Sequence, residues 1–220
     1  MMLFAISAIE EILFELANAL RIPVFAAAIA ALAFLLVDLG AFFVELVRRG
    51  RSDGGERVAQ ATANARTALA TRDLSEAERA LMPLASSGQM ADTLSTLVVQ
   101  HGQPGADDRR AKALADFDLR SLRKLERSRM LVRFGPALGL MGTLIPLSPA
   151  LEGLADGDVQ QLSENLRAAF SVTVLGLLIG AVAFAISLVR DRLYAQDLSD
   201  LEYVVASLDP PEEHGEARLA

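Results

Sequence analysis

The run AAFSVTVLGLLIGAVAFAISLV, Ala168 to Val189, carries no charge and is closed by Arg167 and Arg190. As a helix rising about 1.5 Å per residue it spans roughly 33 Å, the thickness of the hydrocarbon core of a bilayer. Two more stretches reach that length or approach it. Phe134 to Leu151 (FGPALGLMGTLIPLSPAL) is also uncharged, and Ile22 to Val47 (IPVFAAAIAALAFLLVDLGAFFVELV) lies between Arg21 and Arg48. A buried core helix accounts for one such run. Three in a chain of 220 residues that is 52% apolar predict an all-α polytopic membrane protein with three transmembrane helices.

The basic residues set the expected orientation, because arginine and lysine near span ends are retained on the cytoplasmic side. Arg48, Arg49 and Arg51 follow the first span, Arg123, Lys124, Arg127, Arg129 and Arg133 precede the second, and Arg190 and Arg192 follow the third. All three clusters share one side only with the N-terminus outside and the C-terminus inside, in the cytoplasmic (inner) membrane of the cell. The net charge of −7 removes the basic footprint that a nucleic-acid partner requires. The absence of cysteine, with only His101 and His214 as histidines, leaves no His/Cys set for a metal.

These boundaries divide the chain into residues 1–21, a first span at 22–47, a cytoplasmic helical domain at 48–133, a second span at 134–151, an outer loop at 152–167, a third span at 168–189, and a cytoplasmic helix with an acidic tail at 190–220. Before the first span, Ile9, Ile12, Leu13, Leu16 and Leu20 recur at helical spacing, which predicts an amphipathic helix on the outer membrane surface. Within 48–133, Glu56 to Thr71 is alanine-rich, Ser75 with Glu78 has capping-box spacing, and Gln89 to His101 reads as a third helix. After the break at 102–108, helix formers continue without Gly or Pro to Arg133, so a fourth helix runs into the second span. Leu114, Phe117, Leu119, Leu122, Leu125 and Met130 are its expected packing seam.

Both later spans have one face of small residues: Gly135, Gly139, Gly142 or Thr143, Pro146 and Ala150 on the second, and Ala169, Thr173, Gly176, Gly180, Ala183 and Ser187 on the third. The pairs Gly135/Gly139 and Gly176/Gly180 have GxxxG spacing, which lets helix backbones approach closely. Thr143 and Thr173 put hydroxyls near the middle of these faces. Each hydroxyl either bonds the carbonyl one turn back or contributes to a polar track. Counting from the inner arginines puts Thr143 about 15 Å deep and Thr173 about 25 Å deep, as two steps of such a track.

The residues from Leu131 to Asp191 resemble the MotA/TolQ/ExbB proton-channel family. GPALGLMGT (Gly135 to Thr143) is similar to its signature in the penultimate span, and TVLGL (Thr173 to Leu177) to its signature in the last. The three-span, N-outside plan resembles the TolQ/ExbB branch. The resemblance implies a homopentamer around the single spans of two TolR/ExbD-like partner chains. It further implies that the partner carries the ion-binding aspartate, that Thr143 and Thr173 line the route beside it, and that H+ or Na+ flow moves the partner. No cofactor is expected beyond the transported ion. Pro146 departs from the family pattern, which often has glycine there, and with Pro149 it predicts a kinked outer half of the span.

Asp38, two-thirds of the way through the first span, reads either as a functional intramembrane carboxylate or as a structural partner of Arg133, the favoured pairing. Glu45 and Arg49, four residues apart, read as a surface-level ion pair. A nucleophile with its base, a metal cluster and a phosphate-binding loop are all missing from the pattern, so an enzyme has no support. The competing functions are a motor or channel subunit and a non-conducting membrane scaffold.

Overall fold

The computed structural model describes residues 11, 12, 14–49 and 54–208. The expectations for Ile9, Leu13, Arg51 and the stretch Asp209 to Ala220 fall outside those residues. All regular structure among them is helical: α1 (Arg21–Arg49), α2 (Gly54–Ala70), α3 (Leu74–Leu81), a 3-10 turn (Met82–Leu84), α4 (Gly88–Val99), α5 (Ala106–Ala155) and α6 (Val159–Leu208). Residues 11, 12 and 14–19 are helical too, and Leu20 N–H donates to Leu16 O at 3.2 Å, so this segment passes almost unbroken into α1.

Three helices are long and apolar enough to cross a membrane: Phe14–Arg49, α5 and α6. Their outward side chains are those that water would reject. Ile22, Val37, Phe170, Val174 and Phe184 are all more than half exposed, and a hydrocarbon surrounding is the environment that accepts them. The connection between α5 and α6 is shorter than a 16-residue loop. It narrows to residues 156–158, where Gly157 takes φ +80° and Asp158 Oδ1 accepts the Gln161 N–H at 2.9 Å.

The chain forms two compact units, residues 1–41 with 126–188 and residues 42–125 with 189–220. In the first, α1, the later part of α5 and most of α6 pack together, and Arg21 Nη2 donates to Asn165 Oδ1 at 3.1 Å. The second is closed by its own apolar core. Leu81, Leu94, Leu97, Leu201 and Val204 are fully buried beside Ala65 and Phe117.

Two local expectations shift in this second unit. The cap of α3 is Asp73, whose side chain accepts the Glu76 N–H at 2.9 Å, so the capping motif begins two residues before Ser75. Arg72, at φ +59°, turns the chain out of α2 and leaves Asp73 positioned to do this. Along α5 the seam divides: Phe117 and Leu125 are buried and Leu114 partly so, while Leu119, Leu122 and Met130 stay exposed. The buried line continues through Ser121 and Ser128, small hydroxyl residues that a purely apolar count passes over.

Candidate functional site

Within the first unit the small faces of α5 and α6 meet backbone to backbone. A Cβ on Gly135 would lie 2.7 Å from Gly176 O and 2.9 Å from Gly180 N. One on Gly176 would meet Gly135 O and come within 2.8 Å of Gly139 Cα. Gly142 faces Val172, and a Cβ on Gly180 would come 2.8 Å from Pro136 Cδ. Any larger residue at these positions pushes the helices apart, which is the physical content of the GxxxG spacing. Ala150, Ala169 and Ala183, which share the small faces in the sequence, are buried.

Thr173 sits inside this contact. Its Oγ1 lies 3.1 Å from Gly139 O across the interface and 3.2 Å from Ala169 O one turn back. The single hydroxyl proton serves these two carbonyls, and the oxygen lone pairs stay available to accept. Thr143 Oγ1, half-buried, donates locally to Leu140 O at 2.8 Å.

The axial order differs from the count made from the arginines. Thr173 faces Gly139, four residues and about 6 Å from Thr143 on the Arg133 side, so Thr173 is not the more remote of the two from that end. Arg133 and Arg190 do not lie level. A Cβ on Gly180 would meet Val132 O at 3.5 Å, so the uncharged run of α6 continues roughly 13 Å beyond the point that faces Val132. Close glycine packing sets the register, and the charges follow from it.

Asp38 Oδ2 accepts the hydroxyl of Ser128 at 2.8 Å, and Ser128 is fully buried. The structure brings Asp38 to Ser128, whereas Arg133, five residues further along α5, lies exposed. Five residues carry a helix through one full turn and about 140° more, so the two side chains point to different faces.

In the second unit, Glu45 and Arg49 form a part of a larger, mostly buried network instead of a surface pair. Arg49 gives Asp197 two bonds, at 2.8 and 2.6 Å, and approaches Glu45 at 3.4 Å. Arg190 Nε reaches Glu45 at 3.2 Å, and Ser86 Oγ donates to Asp197 at 2.9 Å. Side-chain exposures of 6% for Asp197 and Arg190 and 10% for Arg49 make it an interior cluster. Sequence reasoning assigned Arg190 to a span boundary and missed Asp197 and Ser86, because nothing local ties residues more than a hundred positions apart.

His101, also in this unit, approaches Arg110 Nη2 through Nδ1 at 3.0 Å. Burial first, and the neighbouring guanidinium second, hold its pKa below the ordinary 6.5. No group of three or more His, Asp or Glu capable of holding a metal occurs among the described residues.

The family model described as the MotA/TolQ/ExbB proton channel family matches residues 90–202, just over half of the chain and including the whole of the α5–α6 contact. No curated protein matches the chain significantly.

Proposed function

Because the chain belongs to the MotA/TolQ/ExbB proton channel family and is a multi-pass membrane protein, we propose that it is the channel-forming subunit of an ion-driven membrane motor. In this reading, H+ or Na+ influx through a homopentamer of the chain moves a single-span TolR/ExbD-like partner, with the N-terminus outside the cytoplasmic membrane. The observation that carries it is Thr173. A hydroxyl with accepting lone pairs lies within a glycine-built contact between two membrane-capable helices, while neither uncharged run holds a carboxylate. A route here needs an acid supplied by the partner.

The physics of the cycle follows from charge. An ionised carboxylate is costly in hydrocarbon, and binding an ion neutralises it, so the partner helix passes an apolar surface more easily when loaded. Thr143 and Thr173 offer hydroxyl oxygens within about one helical turn of each other, suited to hold the acid or its ion at that level. Asp38, engaged by Ser128, takes a structural role in this scheme.

One observation favours the scaffold reading: both hydroxyls already donate to backbone carbonyls, as they would in a purely structural helix pair. The two readings separate in membrane vesicles containing chain and partner. Thr173→Val keeps the shape and removes the hydroxyl; it is expected to assemble but lose ion flux by about tenfold or more, the scale of one lost charge-assisted hydrogen bond. Thr173→Ser is expected to restore most of it. Undiminished flux in the valine variant would establish the scaffold.

A further inference from the structure

The first unit contains a groove of about 130 Å³ that the conduction scheme does not use. It is lined by Phe14, Ala17 and Asn18 from the segment before α1, and by Leu144, Ile145, Ser148 and Pro149 from α5. Its walls are almost wholly apolar. Two of the lining residues are polar, Asn18 and Ser148, and neither side chain has a hydrogen-bond partner among the described residues. Ile145 also lines the groove, and its carbonyl lacks its helical donor because residue 149 is proline. Along α5, Ser148 lies nearer the helix end and Leu144 nearer the middle of the uncharged run.

We infer that this groove binds the acyl chain of a bilayer phospholipid, with the glycerol-ester region of the lipid at Asn18 and Ser148. Its apolar walls fit the chain. The neutral Asn18 and Ser148 side chains fit the ester and glycerol oxygens better than a phosphate, because no cation is among the described residues that line the groove. A cavity of about 150 Å³ is large enough to hold a benzene ring, so this one takes a short length of hydrocarbon. The surrounding solvent supplies that hydrocarbon, since the groove lies on a membrane-crossing part of the chain. A lipid held there would brace the segment of α5 in which Pro146 and Pro149 have withdrawn two backbone hydrogen bonds. The inference needs only the membrane assignment and stands whether or not the protein conducts.

The chain has no tryptophan, so a single introduced one is an unambiguous reporter. Phe14→Trp places it in the groove. Phe170→Trp, two residues from Val172 where that residue packs on Gly142, places it on an exposed face of α6 at a similar height. The full-length variants, purified in detergent, are titrated with phosphatidylglycerol brominated on its acyl chains, which quenches tryptophan on contact.

Saturable quenching is expected for Phe14→Trp and only shallow, unsaturated quenching for Phe170→Trp. Adding Ala17→Phe to the Phe14→Trp chain fills the groove. Losing the burial of even two acyl methylenes is expected to weaken binding about tenfold. Ile145→Phe reaches the groove from the opposite wall and replaces Ala17→Phe if that variant does not fold. Brominated phosphatidylcholine is expected to behave like phosphatidylglycerol. Equal quenching at the two tryptophans, or quenching that persists after the groove is filled, would overturn the site; dependence on the charged headgroup would overturn the ester assignment.

Discussion

Gly176 and Gly40 are both helical glycines in the first unit, and they meet opposite surroundings. A Cβ on Gly176 would run into the backbone of Gly135 and Gly139, which cannot swing aside, whereas one on Gly40 finds nothing within 4 Å. Gly176→Ala is therefore expected to destabilise the helix pair by about 1–3 kcal/mol. Gly40→Ala should leave stability unchanged or raise it by up to about 1 kcal/mol, as alanine favours the helix. Unfolding of the detergent-solubilised chain compares the two. Both glycines are equally visible in the sequence; only the neighbour decides what each tolerates. His101 gives a second test at this scale. Its lowered pKa means that the folded state prefers the neutral ring, which accepts from Arg110. Stability is full above the unfolded pKa of 6.5 and declines as pH falls below it, where the unfolded chain binds the extra proton. His101→Gln keeps an acceptor and removes the titration, so its unfolding free energy should show a flatter dependence on pH in that range.

At the scale of the element, helix positions were legible because periodicity and breakers are local. Helices fall where the alanine-rich run, the stretch from Gln89 and the breaker at 102–108 indicated, and α5 runs unbroken from the cytoplasmic-type sequence into its uncharged run. Caps were less legible, since DLSE and SEAE offer the same spacing two residues apart. Tertiary contact separates them: Glu78, the acid of the second candidate, instead accepts the Ser95 hydroxyl from α4. Asp73→Ala is expected to cost about 1 kcal/mol in the thermal unfolding of the chain, and Ser75→Ala much less. An equal loss from the two would return the cap to Ser75. The match to the family model begins at Met90, well before the span signatures, and therefore takes in part of the second unit's core, including Leu94, Phe117 and Leu201.

For the molecule as a whole, each unit is held by a different kind of interaction. The first depends on close backbone contact between small residues, the second on a leucine-rich core together with the Glu45, Arg49, Arg190 and Asp197 network. Charges this buried are costly to strand. Arg49→Ala leaves Asp197 with Ser86 alone and is expected to destabilise the second unit by about 3–5 kcal/mol, read from denaturant unfolding. Replacing Arg49 with Met and Asp197 with Leu together removes both charges and should recover most of that loss. Failure of the pair to recover would mean that Ser86 and Glu45 depend on these two charges for more than compensation.

Length, apolarity and charge position, each a property of contiguous residues, are why the sequence alone determined three membrane-capable helices, their approximate bounds and the small faces carrying Thr143 and Thr173. The GxxxG spacing also showed that α5 and α6 could approach closely. Only the tertiary structure decided the register in which they do so, the placing of Thr173 against Gly139, the hydrogen bond from Ser128 to Asp38, and the burial of Glu45 and Arg49. Each of these joins residues far apart in the chain. Their relative height and facing are fixed by which backbones can touch, and local pattern carries no record of that.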